Sequence, residues 1–402
     1  MTAGRDPRAA GAGAKAAGDG RTAKRTEGRV AILEGGSFVL PYDCQLILAL
    51  ARRGLAVDFY GSRTRYNGEL LDVLRQTPGV TVYAADVSGS VAPRWKGALG
   101  YLGLLIALWR RRDAYRAINL QFSVAWLLEL PFLRAMRSRL VFTVHNAVPH
   151  GFAGEQHGPT RRITGLAKTL VFVSEATRDE FLRRYGEGFG AKSVVMPHGL
   201  LPITPASPPV AYVPPAQPRA LLFWGNVQAY KGVALFAELA RAPAIRERGL
   251  ALEVHGAWAP GMGALRDDLI AQGVAVDDGF LSTEALTALM ARDAIFLLPY
   301  TEASQSGALY TLLAAGRFFI CADVGDLGAF MRRFGLEGLL LRERSAAAVA
   351  ECLDYLQAHA AEVAKAFGRA QREHGWDGLL AGAEGVYGGT TPVGQGETIP
   401  PP

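Results

Sequence analysis

Short apolar runs alternate along this chain with longer stretches whose apolar positions recur every three or four residues. That alternation predicts parallel strands joined by helices. Strands are expected at Arg29–Leu33, Ala56–Tyr60, Val80–Ala84, Ala117–Leu120, Leu140–Val144, Thr169–Val173 and Ser193–Met196. The segment Pro202–Arg219 holds seven prolines and almost no helix former, and reads as a linker. Strands then resume at Ala220–Trp224, Leu252–His255, Ala275–Asp277, Ala294–Leu298, Phe318–Ala322 and Gly338–Leu341, with helices from Ser345 to about His374. The expected fold class is α/β, with two Rossmann-like doubly wound domains facing each other across a cleft. Residues 29–201 form the first domain, 202–219 the linker and 220–375 the second domain. Residues 376–388 form a helix returning to the first domain, and residues 1–28 and 389–402 are disordered tails.

The composition fits this architecture. The chain has 402 residues, half of them apolar and a fifth charged, which is more than one core holds and suits a globular enzyme. Its three cysteines, Cys44, Cys321 and Cys352, are scattered, which predicts a reduced compartment and no zinc site. The first 28 residues lack the apolar core of a secretory signal, so the chain is expected to stay in the cytoplasm. The apolar run Gly97–Trp109 has thirteen residues, short of the roughly 20 that cross a bilayer. From Arg94 to Arg139 there are nine Lys or Arg against Asp113 and Glu129, which predicts contact with an anionic surface.

Candidate chemistry gathers where strands end. The first strand runs into Glu34-Gly35-Gly36-Ser37, where paired glycines either let the backbone approach a ligand or simply make a turn. The strand Leu140–Val144 ends in His145 and Asn146, with Pro149 and His150 beyond. A His at that place can hydrogen-bond a sugar hydroxyl or be satisfied by backbone, and His150 can simply position the loop. Ser174 follows another strand and can cap the helix starting near Glu175. In the second half, Gly225 and Asn226 lead to Tyr230-Lys231-Gly232, whose lysine, expected at the start of the next helix, is either a solvated cation or a point charge for a diphosphate. Pro299-Tyr300 leads through Ser304, Gln305, Ser306, Gly307 and Ala308 into a helix whose free amides make an anion or hydroxyl cradle.

In this order the segments resemble the retaining glycosyltransferase family four of GT-B fold. The resemblance rests on Thr143-Val144-His145-Asn146 with Pro149-His150, Phe172-Val173-Ser174-Glu175 and Pro197-His198-Gly199. It continues in Gly225-Asn226 through Tyr230-Lys231-Gly232, and in Pro299-Tyr300 through Gln305-Ser306-Gly307 to Ala315-Gly316, and spans about residues 29–345. It implies that Gly35 and Gly36 lie beside the donor diphosphate and acceptor and that His145 contacts the transferred sugar. It further implies that Lys231 neutralises the departing diphosphate and that Ser306, Gly307 and Ala308 present amides to phosphate and sugar. The loop Gly279–Leu281 would line the nucleobase, and Asn146 and His150 would belong to the acceptor side or its loop. Three positions depart from the family pattern: Asn226 stands where an Arg is frequent, and Ala303 and Thr311 replace the two acids of a Glu-x7-Glu signature. Retention at the reacting carbon is the expected outcome.

The expected activity is metal-independent transfer of a hexose from a nucleoside-diphosphate sugar to a lipid-linked or glycan acceptor in surface-glycan assembly. No cofactor is implied beyond the donor, no metal ligand set is assigned because no Asp-x-Asp pair ends a strand, and no nucleic-acid partner is implied. Trp95–Arg112 is the candidate contact with an anionic membrane. Three alternatives are weighed. An oxidoreductase lacks its glycine fingerprint, and an epimerase lacks paired acids near the anomeric carbon. A non-catalytic nucleotide-sugar-binding subunit draws on the replaced acids.

Overall fold

A computed structural model describes residues 28–147, 157–205, 207–213, 218–303 and 306–387. Seven parallel strands form the first sheet, in the order β3-β2-β1-β4-β5-β6-β7. They are β1 (Arg29–Glu34), β2 (Ala56–Ser62), β3 (Val80–Ala85), β4 (Ala117–Phe122), β5 (Leu140–Val144), β6 (Thr169–Phe172) and β7 (Ser193–Val195). Six parallel strands form the second, in the order β10-β9-β8-β11-β12-β13. These are β8 (Ala220–Trp224), β9 (Ala251–His255), β10 (Ala275–Asp277), β11 (Ala294–Leu298), β12 (Phe319–Ala322) and β13 (Leu340–Leu341).

Both faces of the first sheet are covered, which is why its strands read as unbroken apolar runs. Val30 and Ile32 point to one side, into a core shared with the helix Leu40–Arg52 and with the second domain. Ala31 and Leu33 point to the other, against Tyr101, Leu105 and Leu108 of the helix Arg94–Arg111. The core on the first side runs through Met196, Leu200 and Leu201 into the second sheet, so the domains are joined by buried apolar contact as well as by chain.

In each sheet the direction of crossover reverses at one place, between β1 and β4 in the first and between β8 and β11 in the second. Loops leaving the carboxyl ends of strands at such a reversal form a crevice where ligands bind. The two crevices face each other, because carboxyl-end loops meet across the gap at two points. Beyond β2 and β10, Tyr66 stacks on Phe280 with ring centroids 4.3 Å apart, and Thr283 donates to Glu69 at 2.6 Å. Beyond β6 and β12, Ser174 donates to Asp326 at 3.0 Å while accepting from the Thr177 amide at the start of its own helix. The helix cap anticipated at Ser174 is therefore also a bond between the domains.

The proline-rich segment does not hang free. Tyr212 stacks on Phe367 at 5.0 Å and donates to the Arg317 carbonyl at 3.2 Å, and the Val210 amide donates to the Ala314 carbonyl at 2.8 Å. Apolar anchors between the prolines hold the strap down although proline itself contributes no donor. Beyond the second domain, the helices Trp376–Gly382 and Glu384–Tyr387 lie on the first. Arg52 pairs with Asp377, Arg53 pairs with Glu384, and the buried Asn119 of β4 donates to the Tyr387 hydroxyl at 2.9 Å. The helix after β1 starts at Leu40, ahead of the apolar pattern beginning at Gln45, since Pro41 is tolerated in a first turn.

Candidate active site in the interdomain cleft

The second-domain half is built around Tyr300. The chain leaves β8 through Gly225, whose amide donates to the His255 carbonyl at 3.0 Å, passes the exposed Asn226, and makes a tight turn over Ala229–Lys231. Lys231 thus precedes the following helix, Leu235–Arg241, instead of opening it as the sequence pattern suggests. The reason is Gly232. Its φ is +68° and an added Cβ would lie 1.9 Å from the Pro299 carbonyl oxygen, so the loops after β8 and β11 touch backbone to backbone there. The Thr301 amide donating to the Tyr230 carbonyl at 2.8 Å completes the tie. In consequence the Lys231 ammonium sits 3.8 Å from the centroid of the Tyr300 ring and 5.0 Å from that of Tyr230. Among the described residues no carboxylate pairs with it, and burial lowers its pKa to about 8.

Tyr300 also meets the other half of the cradle. Ser306 precedes the helix Gly307–Ala314 and donates to the Tyr300 hydroxyl at 3.2 Å, so its side chain does not cap the first turn. Among the described residues the amides of Gly307 and Ala308 have no hydrogen-bond partner and the Lys231 ammonium has no counter-charge. Thr311 is turned the other way: its hydroxyl donates to the Gly307 carbonyl at 3.1 Å inside the helix, and the residue is buried.

On the first-domain side, β1 and β4 slip register between Leu33 and Glu34, and the extra residue is Gln121. Its buried amide oxygen meets Nε2 of His145 at 2.7 Å. His145 is stacked by Phe122 at 4.9 Å and met edge-on by Tyr42 at 5.0 Å. Burial, with His198 nearby, pushes its pKa down to about 3, so the ring is neutral. With Nε2 donating to Gln121, Nδ1 is left as an acceptor. Asn146 is half-buried beside it, and His150, with Pro149, lies outside the described residues, as do Ser304 and Gln305. Gly35 and Gly36 are roofed by aromatic rings of their own chain: a Cβ on Gly35 would lie 2.3 Å from the Tyr101 ring, and one on Gly36 2.1 Å from Phe38.

The two halves are joined by rings in contact. Tyr310, from the helix that Ser306 precedes, stacks on His198 at 4.2 Å, and Tyr42 lies 5.0 Å from His198 and 5.0 Å from His145. Lys231 with Ser306 and His145, on opposite sides of the cleft, are therefore linked through a continuous set of contacts where the two halves meet. Residues 44–200 match the family model of Glycosyltransferase Family 4. No curated protein matches the sequence significantly. Among solved structures the chain is similar to HepE of Anabaena, crystallised with UDP and glucose, at 16% identity and a TM-score of 0.61, covering 89% of this chain and 98% of that one. It is similar to the sucrose-phosphate synthase of Thermosynechococcus elongatus at 18% identity and a TM-score of 0.62, covering 90% and 98%. It is also similar to the lipopolysaccharide outer core galactosyltransferase WaaB at 12% identity and a TM-score of 0.56, covering 89% and 98%.

The chain has the GT-B fold, and its likeness to Glycosyltransferase Family 4 extends over residues 44–200. Within this cleft the motifs of the second domain, in the loops after β8 and β11, lie at that sheet's crossover reversal; in the first domain Gly35 and Gly36 lie at the reversal, while His145, Ser174 and His198 follow β5, β6 and β7.

Sequence reasoning gave no role to Tyr42, Gln121, Glu34 or Asp43. Tyr42 is the joint between His145 and His198 and also meets Trp376 at 5.1 Å. Glu34 ends β1 fully buried, and its carboxylate accepts the Phe38 amide at 2.9 Å, closing the Gly35–Ser37 turn. Burial raises its pKa to about 7 and holds the buried Asp43 well above the carboxylate range, Asp43 being raised further by Glu34 itself. Neither oxygen of Asp43 has a partner among the described residues. An acid closing an otherwise apolar strand was the available signal for Glu34; Tyr42 and Asp43 sit in a helix whose sequence pattern reads only as a buried face.

Proposed function

We propose that this chain transfers a hexose from a nucleoside-diphosphate sugar to a lipid-linked or glycan acceptor in surface-glycan assembly, with no divalent ion required. The observation that carries this is Lys231: a half-buried cation that, among the described residues, has no carboxylate partner, close to the Gly307 and Ala308 amides at the second domain's crossover reversal. A diphosphate supplies the missing charge. As the bond from C1 of the sugar to the diphosphate breaks and the acceptor hydroxyl oxygen bonds to C1, the hydroxyl proton passes to the departing diphosphate, on which negative charge grows where the ammonium and amides are already aimed. His145, neutral and held by Gln121, offers Nδ1 to a sugar hydroxyl; Gly35 and Gly36 border the acceptor side. HepE was solved with UDP and glucose and WaaB is named as a galactosyltransferase, which supports a nucleotide-sugar donor.

The acceptor is taken to be presented at the inner face of the cytoplasmic membrane, with the chain attached peripherally through Trp95–Arg112. Among the described residues no helix is long and apolar enough to cross a membrane. A second reading, donor binding without turnover, draws on Thr311, whose hydroxyl is engaged within its helix where the family carries an acid. Titrating nucleoside diphosphates against the melting temperature, then assaying release of diphosphate from the sugar nucleotide that matches the responding base, separates the two. A ligand that binds only the folded state raises the melting point by mass action. A shift with sugar release supports transfer, a shift without it supports binding alone, and no shift with any base refutes both.

A further inference from the structure

His145 is held from three directions. Its Nε2 meets Gln121, Phe122 lies parallel to the ring, and Tyr42 meets it at 85°. These holders differ in firmness. The hydrogen bond fixes one atom of the imidazole and not its plane, and Phe122 is backed at 6.0 Å by Phe38, a ring that is 68% exposed. Tyr42 is buried, and its ring is wedged among His145, His198 and Trp376, with centroids 5.0, 5.0 and 5.1 Å away.

Two of those neighbours lie where the chain passes between the domains. His198 is on the segment that leaves the first domain, and Trp376 opens the helix that returns to it. The two crossings are bonded to each other. The Leu200 amide donates to the His374 carbonyl at 3.0 Å, His374 Nδ1 donates to the His198 carbonyl at 2.7 Å, and Trp376 Nε1 donates to the Leu200 carbonyl at 2.8 Å. A Cβ on Gly199 would lie 2.3 Å from the Trp376 ring, so the crossings pack without a gap. His198 is in turn stacked at 4.2 Å by Tyr310 of the helix Gly307–Ala314. Contact therefore runs unbroken from the second domain's cradle to the imidazole.

The Tyr42 hydroxyl takes no part in this. It is buried and has no hydrogen-bond partner among the described residues. What Tyr42 contributes is its ring, and an unpaired buried hydroxyl can be removed without the loss that removing the ring would bring.

We propose that Tyr42 is a positioning residue for His145, whose ring aims Nδ1 at the sugar only while His198, stacked by Tyr310, and Trp376 are docked on Tyr42. This rests on the reading of His145 as the sugar contact and adds what aims it. Displacing such a group by about 1 Å can cost on the order of a hundredfold in rate. One hydrogen bond and an exposed stack do not hold an imidazole that closely; a buried ring pinned by both crossings does.

The test compares Tyr42→Phe and Tyr42→Leu in the full chain. Transfer kinetics are read beside the ring-nitrogen NMR signals of isotope-labelled histidine, with His145 assigned by its absence in His145→Ala. Tyr42→Phe should keep kcat within about threefold and keep the His145 signals of the unaltered chain, with Nε2 protonated and Nδ1 bare. Tyr42→Leu should lower kcat by roughly tenfold or more, leave nucleoside-diphosphate affinity within about threefold, and draw the two His145 nitrogens toward a common shift. A merely structural role would lower the melting temperature and move neither. Unchanged His145 signals in Tyr42→Leu, or a kcat preserved there while His145→Ala loses it, overturns the proposal. A loss in Tyr42→Phe as large as in Tyr42→Leu assigns the work to the hydroxyl and overturns it too. Normal transfer by His145→Ala sinks instead the reading of His145 as the sugar contact, and the NMR comparison still decides whether Tyr42 holds the ring. Should Tyr42→Leu not fold, Tyr310→Leu, which removes the stack on His198, takes its place, and unchanged His145 signals there overturn the proposal.

Discussion

The two walls of the cleft solve different problems with different materials. The wall from the second domain is made of backbone and one cation: two loops pressed together at Gly232 and Pro299, helix amides, and Lys231 against Tyr300. Among the described residues the wall from the first domain has no free charge at its centre. It holds a neutral His145, the rings of Phe122 and Tyr42, and carboxyls whose burial favours the protonated form. Charge is thus concentrated where a diphosphate would lie and withheld where a sugar would lie. In a dry cleft that division sharpens the attraction for the departing group without creating a second anion site on the facing wall.

The sharpest way to break this contrast is to discharge the cationic wall. Lys231→Ala should lower transfer by about 10²- to 10³-fold with an unchanged melting curve, because it removes an interaction that strengthens as charge develops. Turnover within a few-fold of the unaltered chain would take the catalytic charge away from this wall. The same residue sets a pH dependence. With the free lysine titrating near 8, the ammonium is increasingly lost above that pH, so nucleoside-diphosphate affinity should fall on the alkaline side. Lys231→Arg, which stays charged, should flatten that limb.

Next in size is the junction on which the wall depends. Gly232→Ala places a methyl on the Pro299 carbonyl at a positive φ and should cost about 2–3 kcal/mol, read as a lower denaturation midpoint. Diphosphate affinity should fall with it, since the displaced loop carries Lys231. A stability loss that leaves affinity intact would separate the loop contact from the ligand site.

These two residues also mark what sequence can and cannot deliver. All thirteen strands were legible, because a sheet covered on both faces leaves long apolar runs between turn residues. Lys231 and Ser306 were legible as motifs, being local in the chain. The position of Lys231 ahead of its helix was not, because it depends on Gly232 meeting Pro299, residues far apart in sequence. The same holds for the roof over Gly35, set by Tyr101, and for the Tyr42 joint, set by histidines from two other segments. Periodicity reports which face of an element is buried; it carries no record of which distant residue buries it.

The uncharged wall can be tested through Glu34. Its folded pKa near 7 lies above the usual carboxylate value of 4.5, so the folded state holds the proton more tightly than the unfolded chain. Stability tied to that proton is complete below about pH 4.5 and is lost as pH rises toward 7. Glu34→Gln removes the titration, so its melting temperature should change less between pH 5 and 8. At pH 8 its unfolding free energy should exceed that of the unaltered chain by an amount on the order of 1–2 kcal/mol, because desolvation of the ionised carboxylate outweighs its bond to the Phe38 amide. Identical pH profiles for the two chains would show that Glu34 ionises without penalty, and the picture of a wall kept free of charge would fail there.

The smallest effect concerns the rim where the walls meet. Tyr66 and Phe280 are largely exposed and stack at 4.3 Å, with Glu69 and Thr283 bonded beside them. An exposed aromatic pair of this kind contributes about 0.5–1.5 kcal/mol, so Tyr66→Ala should lower stability by no more than that. Its consequence for ligand is more informative than its size. Tyr66 occupies one face of Phe280, in the Gly279–Leu281 loop that the proposed reading gives to the nucleobase. Freeing that ring should raise the association rate for nucleoside diphosphate while changing the dissociation rate less, which stopped-flow binding resolves. If both rates stay the same, the rim contact neither guards the cleft nor competes with the base, and the entry path runs elsewhere along the gap between Ser174 and Asp326 at one end and the Tyr66–Phe280 stack at the other.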